Sequence, residues 1–240
     1  MNVMLLRRVW SSYGLPLLLL LWGWVMVWSA LSGRLDLLLR GIYHPVVLIG
    51  GGLLLLLGAL QWRLLRSGRA GLAPGQRPRT APLPRGWQLV VITAVAILLL
   101  PPRPSFNDLA ISRPPALPEA PRLAFVLPPE QRTLTEWVRL LRTQPDPSLH
   151  EGSPVSISGF VLQRPGEVPQ LARLMVRCCL ADATPSGLPV QWPEDYTPTP
   201  DTWLALKGTM VVEEHGGVLR NAVRPTVVTS IPRPDRPLEP

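Results

Sequence analysis

The chain of 240 residues has room for one ordinary domain plus membrane segments, and its 30 prolines lie far above the usual ~5%. The 47% apolar share together with the prolines fits apolar spans joined to a proline-rich, loop-heavy soluble part. The net charge of +8 is carried almost wholly by arginine, Lys207 being the only lysine, so it reads either as a nucleic-acid footprint or as the positive-inside signature of a membrane protein. The placement of the arginines decides between them.

The first apolar run, Leu15 to Leu31, defines with its flanks a span over about 12–32, long enough for a ~30 Å hydrocarbon core. Trp10 and Trp28 lie near its two ends, as interfacial aromatics do. A cleavable signal peptide is the lesser reading, because the core is long and no convincing small-residue cleavage site follows. A short connection, Ser32 to Arg40, leads to a second span over 41–62, so the two read as a helical hairpin. Within it, Gly50, Gly51, Gly52 and Gly58 permit close approach by another helix, which makes the glycine triplet a candidate partner-facing surface. His44, near the start of this span, is an interfacial residue or a weaker functional candidate.

Residues 63–85 form a linker rich in Arg, Pro and Gly. It carries Arg63, Arg66, Arg69, Arg77, Arg79 and Arg85 with no acidic residue. Arginines beside apolar spans put this linker, and the N-terminus with Arg7 and Arg8, in the cytoplasm. A third run, Trp87 to Leu100, covers only about 21 Å as a helix, but with its flanks it is expected to cross over about 86–102. The rest of the chain is then extracytoplasmic, in an inner (plasma) membrane protein with a cytoplasmic N-terminus. Arg103, Arg113 and Arg122 oppose this weakly, because long domains translocate regardless of charge.

Residues 101–132 read as a proline-rich extended tether. Thr133 to Thr143 is an amphipathic helix with Leu134, Trp137, Val138 and Leu141 on one face and a Thr133/Glu136 capping box. From Ser153 the period becomes two. Strands are expected over 153–162, 172–180, 188–192, 202–214, 218–221 and 225–231, with Glu214-His-Gly-Gly217 as a hairpin turn. Short strands with glycines inside them, Gly159 and Gly208, point to an all-β, OB-like small barrel over about 133–232, followed by a disordered tail, 233–240. The architecture is therefore about three transmembrane helices plus this domain.

The only cysteines are adjacent, Cys178 and Cys179, with Asp182 close behind. Strand alternation would bury Cys178 and leave Cys179 exposed beside Arg173 and Arg177, which favour thiolate. Soft thiolates prefer Cu(I) and Zn, and Asp182, Glu213, Glu214 and His215 are candidates to complete the set. The spacing matches no closed zinc motif, and a structural cysteine pair remains the competing reading. No catalytic triad, metalloprotease helix, phosphate loop or dinucleotide fingerprint occurs, so no enzyme is expected.

Ser156-Ile-Ser-Gly-Phe-Val161, Leu171-Ala-Arg173, Cys178-Cys-Leu-Ala-Asp-Ala183, Gly187-Leu-Pro-Val190 and Trp203-Leu-Ala-Leu-Lys-Gly-Thr209 resemble the YcgQ-type family. Its members are described as subunits of a two-component permease. The resemblance makes Gly159, Arg173, Ala181, Asp182, Ala183, Trp203 and Gly208 signature positions and implies a polytopic permease subunit as partner. The resulting expectation is a membrane-anchored accessory subunit. A soft-metal or thiol-handling membrane protein is the alternative. An OB-type nucleic-acid module is a third reading, excluded if the domain is extracytoplasmic; no nucleic acid is expected.

Overall fold

The computed structural model describes residues 3–70, 86–100, 104–113 and 127–239, and the side chains of 3–12 and 68–70 are not part of that description. Arg7, Arg8, Trp10 and Arg69 fall in the latter group; the linker arginines Arg77, Arg79 and Arg85, together with Arg103, Arg122 and Pro240, lie outside the described residues. The chain divides into two compact units, Met1–Pro102 and Arg103–Pro240.

The first unit holds three helices, α1 (Val3–Leu31), α2 (His44–Ala70) and α3 (Trp87–Leu99). Two of them are long and apolar enough to cross a membrane by length and composition; α3, with 13 residues, is too short to meet that test. Helices α1 and α2 pack as a hairpin through small residues. A Cβ on Gly51 would stand 2.9 Å from Val27 Cγ2, and one on Gly58 would stand 2.9 Å from Leu20 Cγ. The triplet is therefore not one surface. Gly51 is spent inside the hairpin, Gly50 lies against Met26, and only Gly52 faces open space. Helical spacing of 100° per residue makes this unavoidable, because three consecutive residues cannot share a face. The hairpin turn carries Arg34, whose guanidinium donates to the carbonyls of Ile97 (2.8 Å) and Leu98 (3.0 Å). A cation there satisfies two carbonyls left open at the end of α3 and sits favourably against its dipole. The C-terminal end of α3 thus lies beside the α1–α2 turn. His44 also belongs to this turn, with Nε2 3.3 Å from the Leu39 carbonyl and Nδ1 4.0 Å from Asp36.

The second unit begins with a short helix, α4 (Phe106–Ile111), where an extended tether was expected. Six residues do not make a stable helix alone; tertiary contacts hold this one. Ser105 caps it, and the Asp201 carboxylate accepts from the backbone N–H groups of Phe106 (2.8 Å) and Asn107 (3.2 Å). Phe106 packs with Phe160 and Trp203, ring centroids 5.6–5.8 Å apart. Helix α5 (Leu134–Thr143) follows with both halves of the Thr133/Glu136 capping box formed. Leu134, Trp137, Val138 and Leu140 enter the core, and Leu141 flanks it.

The strands are β1 (Pro154–Leu162), β2 (Gln170–Met175), β3 (Thr184–Pro189), β4 (Trp203–His215), β5 (Val218–Ser230) and β6 (Leu238–Glu239). They form one sheet in the order β3-β2-β1-β4-β5, antiparallel throughout, with β6 parallel to β2. The core lies between α5 and the face carrying Val155, Ile157, Val161, Leu171, Leu188, Leu204, Leu206, Met210 and Val223. β1 begins with alternating burial and becomes buried on both faces from Gly159 on, where the packing of Phe106 on Phe160 covers the outer face.

The sheet is not closed: Val190, just after β3, meets β5 at a single parallel bridge, Val190↔Val223, with Gln191 N–H donating to the Val223 carbonyl (2.9 Å). Two expectations are corrected. The two runs 218–221 and 225–231 belong to one strand, because the ladder absorbs Pro225 at a register shift opposite Lys207 and Gly208. A Cβ on Gly208 would overlap the Arg224 carbonyl there. The tail is not free either, since Leu238 and Glu239 pair with Leu174 and Met175.

Candidate functional site

β2 stops at Met175, not at Leu180, so both cysteines lie in the loop between β2 and β3. The cause is Asp182. Its carboxylate gathers three consecutive backbone donors: Arg177 N–H to Oδ1 (3.0 Å), Cys178 N–H to Oδ2 (2.9 Å) and Cys179 N–H to Oδ2 (3.4 Å). Donors turned toward one anion cannot alternate along a sheet ladder, so the strand ends. A 3-10 turn, Leu180–Asp182, closes the loop, and the Cys179 sulfur and carbonyl both face the Asp182 N–H. Beyond it Ala183 is buried, its carbonyl accepting from the Arg113 guanidinium (2.6 Å), while Ala181 is exposed.

This loop brings both thiols to one side. Cys178 Sγ and Cys179 Sγ are 3.6 Å apart, both free and half-buried. The expected division into an inner and an outer thiol therefore does not occur. Two sulfurs bound tetrahedrally at ~2.3 Å to one zinc would be about 3.8 Å apart, so the pair needs little adjustment to share a cation. The ligand atoms of Cys178, Cys179 and Asp182 all lie within 4.8 Å of one another, the one such group among the described residues.

His215 is not in it. It ends β4 and lines a separate depression of about 290 Å³ with Glu213, Glu214, Trp192 and Arg220. Glu213 is engaged there by Arg220 (2.7 Å). Sequence proximity among Glu213, Glu214 and His215 pointed to a ligand set, but the fold carries them away from the cysteines.

Of the two arginines expected beside the thiols, Arg173 is engaged elsewhere. Arg173, expected beside Cys179, is 8% exposed, donates to Ser158 and lies 4.8 Å over the Trp203 ring. The hydrogen bond of Cys178 to the Asp182 carboxylate, then its bond to Cys179, push the Cys178 thiol up to about 12. Burial raises the Asp182 carboxyl, but the Cys178 thiol and the three backbone donors outweigh it and leave it below the usual carboxylate range. The loop is thus an ionised carboxylate holding a protonated thiol. A cation bound here must displace that proton, as soft-metal ligation by cysteine requires.

The remaining signature positions are structural neighbours. A Cβ on Gly159 would stand 2.5 Å from the Ala172 carbonyl oxygen, Gly208 sits at the register shift, and Trp203 is buried between Phe106, Phe160 and Arg173. None of the three touches the thiols. Sequence reasoning missed Glu239, Thr135 and Arg113. The first two meet Arg173 or its ion-pair partner, and the third ties down the cysteine loop.

A helical unit with two span-length helices joined to an antiparallel-sheet domain with a vicinal-cysteine loop is the class these features define. Residues 131–238 match the DUF1980 C-terminal domain, a stretch running from the start of α5 into β6 and containing the whole loop. Neither a curated protein nor a solved structure matches the chain.

Proposed function

We propose that this chain is a membrane-anchored, non-enzymatic accessory subunit whose β domain binds a soft divalent cation through Cys178, Cys179 and Asp182. The observation that carries the reading is the Asp182-centred loop, which sets two sulfurs 3.6 Å apart with a carboxylate in reach. Two thiolates and one carboxylate leave a tetrahedral cation one open position, as in sites that exchange a ligand or pass the ion on. Zinc suits the sulfur spacing; Cu(I), in a linear two-thiolate arrangement, would need the sulfurs to part. The test is metal content of the full-length chain in detergent after zinc loading and dialysis. One zinc per chain is expected, falling to background in Cys178→Ser/Cys179→Ser; equal content in both would sink the assignment.

The strand order, with β3 meeting β5 through Val190 and Val223, supports reading the domain as an OB-like barrel seamed at one point. The membrane reading rests on α1 and α2 as spans and α3 as a short third crossing, in an inner membrane with the N-terminus cytoplasmic and the β domain outside. The accessory role rests on the resemblance to two-component permease subunits. It is supported by the exposed apolar row Val46, Ile49, Leu53, Leu56, Leu57, Leu60 and Leu64 along α2, which a polytopic partner or lipid would cover. Affinity purification of the tagged full-length chain should recover a polytopic permease, and loss of that permease's transport when this gene is deleted is the functional counterpart.

A further inference from the structure

β1 and β2 pair at only three positions, from Phe160↔Ala172 to Leu162↔Gln170, and then part. Gly159 stands at the fork, close against the Ala172 carbonyl. Beyond it, β1 pairs with β4 and β2 with β3, so the facing edges of β1 and β2 have no partner in each other. An open strand edge is a template for another extended chain. Here β6 fills it, parallel to β2, with Leu174↔Leu238 and Met175↔Glu239 paired and the Val176 N–H donating to the Glu239 carbonyl (2.8 Å).

Arg173 lies at the floor of the fork. Its Nε donates to the Ser158 carbonyl (2.8 Å) and its Nη2 to the Ser158 hydroxyl (2.7 Å), with the guanidinium stacked over Trp203. Glu239 Oε1 is 3.4 Å from Nε, and Oε2 accepts from the Thr135 hydroxyl. A buried guanidinium demands an anion, yet its bonds to Ser158 and its stacking on Trp203 hold it in place without Glu239. The receptor is built from β1, β2, β4 and α5. The guest is two residues at the end of a segment, 231–237, that contains no helix or strand. Beside Glu239 the cleft continues as a depression of about 240 Å³ lined by Arg132, Thr133, Ser156 and Ser158.

We propose that this fork is a strand-acceptor site for an extended acidic segment of a partner protein, an apolar residue followed by a carboxylate residue, and that Leu238–Glu239 is its competitor in the same chain. Backbone pairing gives such a site its affinity and the carboxylate its specificity. Arg132 and Arg173 border the cleft, while the chain's own segment carries Arg233 and Arg236 against Asp235 and Glu239 and so brings no net negative charge. Charge therefore favours a more acidic guest over a second copy of this tail. The site adjoins the thiol loop at Val176 but uses none of its thiol or carboxylate groups, and it does not depend on cation binding there.

The probe is a fluorescein-labelled peptide copying residues 234–239 with the change Arg236→Glu, added to the full chain in detergent. Truncation after Ile231 is expected to tighten binding at least about tenfold over the intact chain, and Glu239→Gln in the peptide to weaken it about tenfold, the scale of one charge-assisted bond. Should the truncated chain not fold, the intact-length Glu239→Gln chain keeps every backbone contact and is also expected to bind the peptide more tightly than the unaltered chain. Equal binding by all chains would overturn the proposal, as would indifference to the peptide carboxylate. Concentration-dependent dimers of the intact chain that vanish on truncation would also overturn it, assigning the fork to a second copy.

Discussion

Asp182 is satisfied by three backbone N–H groups and one thiol, so its removal touches both the shape of the loop and the chemistry of Cys178. Asp182→Asn keeps the size but replaces one acceptor oxygen by a donor that faces backbone N–H groups. A cost on the order of 1–3 kcal/mol is expected in chemical unfolding of the domain. The same change removes the anion that holds the Cys178 thiol near 12, so that thiol should fall toward the ordinary ~8.5. Alkylation against pH reads this directly. In the unaltered chain the Cys178 rate should keep climbing well past pH 9, and in Asp182→Asn it should level off earlier; coincident profiles would refute the thiol–carboxylate bond. The two groups also set stability against pH in opposite windows. Asp182, depressed when folded, contributes above the ordinary carboxylate range, and its contribution is lost as acid takes the pH down through its folded value. Cys178, raised when folded, contributes below the ordinary thiol range, and its contribution is lost as pH rises toward about 12.

Elements whose causes are local were legible in the sequence. α5 is written by a capping box and a helical period within ten residues, and the β4–β5 hairpin by Gly216 and Gly217, both at positive φ as a tight hairpin turn requires. Elements whose causes are distant were not. α4 exists because Asp201, more than ninety residues on, caps it and because its Phe106 finds Phe160 and Trp203. β2 ends early because a carboxylate downstream captures the N–H groups of Arg177, Cys178 and Cys179, a contact that residue alternation does not encode. The glycine triplet shows the same limit. Its presence is read from the sequence, but the phase of the helix decides which glycine packs. That phase makes a prediction: Gly51→Ile places a branched side chain against Val27 and the Gly23 carbonyl and should lower hairpin stability by about 1–3 kcal/mol, as overpacking does. Gly52→Ile meets nothing and should be neutral in thermal unfolding in detergent. Equal effects at both positions would mean the helices do not meet along this seam.

At the scale of the whole molecule, the side on which the thiol loop sits follows from how many times the first unit crosses the bilayer. In the proposed topology α1 and α2 bring the chain back to its starting side, and Arg63 and Arg66 at the end of α2 would make that side cytoplasmic by the positive-inside rule. The proposed third crossing rests on α3, which is apolar but too short by length alone. The Arg34 guanidinium, bonded to the Ile97 and Leu98 carbonyls, ties the end of α3 to the α1–α2 turn, which the proposed topology puts on the opposite side. A helix of 13 residues spans about 20 Å, so its ends must reach the interfaces through thinning of the bilayer or through such anchoring cations. Alkaline phosphatase fused after Glu239 should then be active, and the same enzyme fused after Gln76 inactive. Arg34→Ala should reduce the activity of the first fusion by releasing the end of α3, without altering the second. An inactive fusion after Glu239 would return the β domain to the cytoplasm, where free vicinal thiols need no protection from oxidation. The metal assignment would then rest on the loop geometry alone.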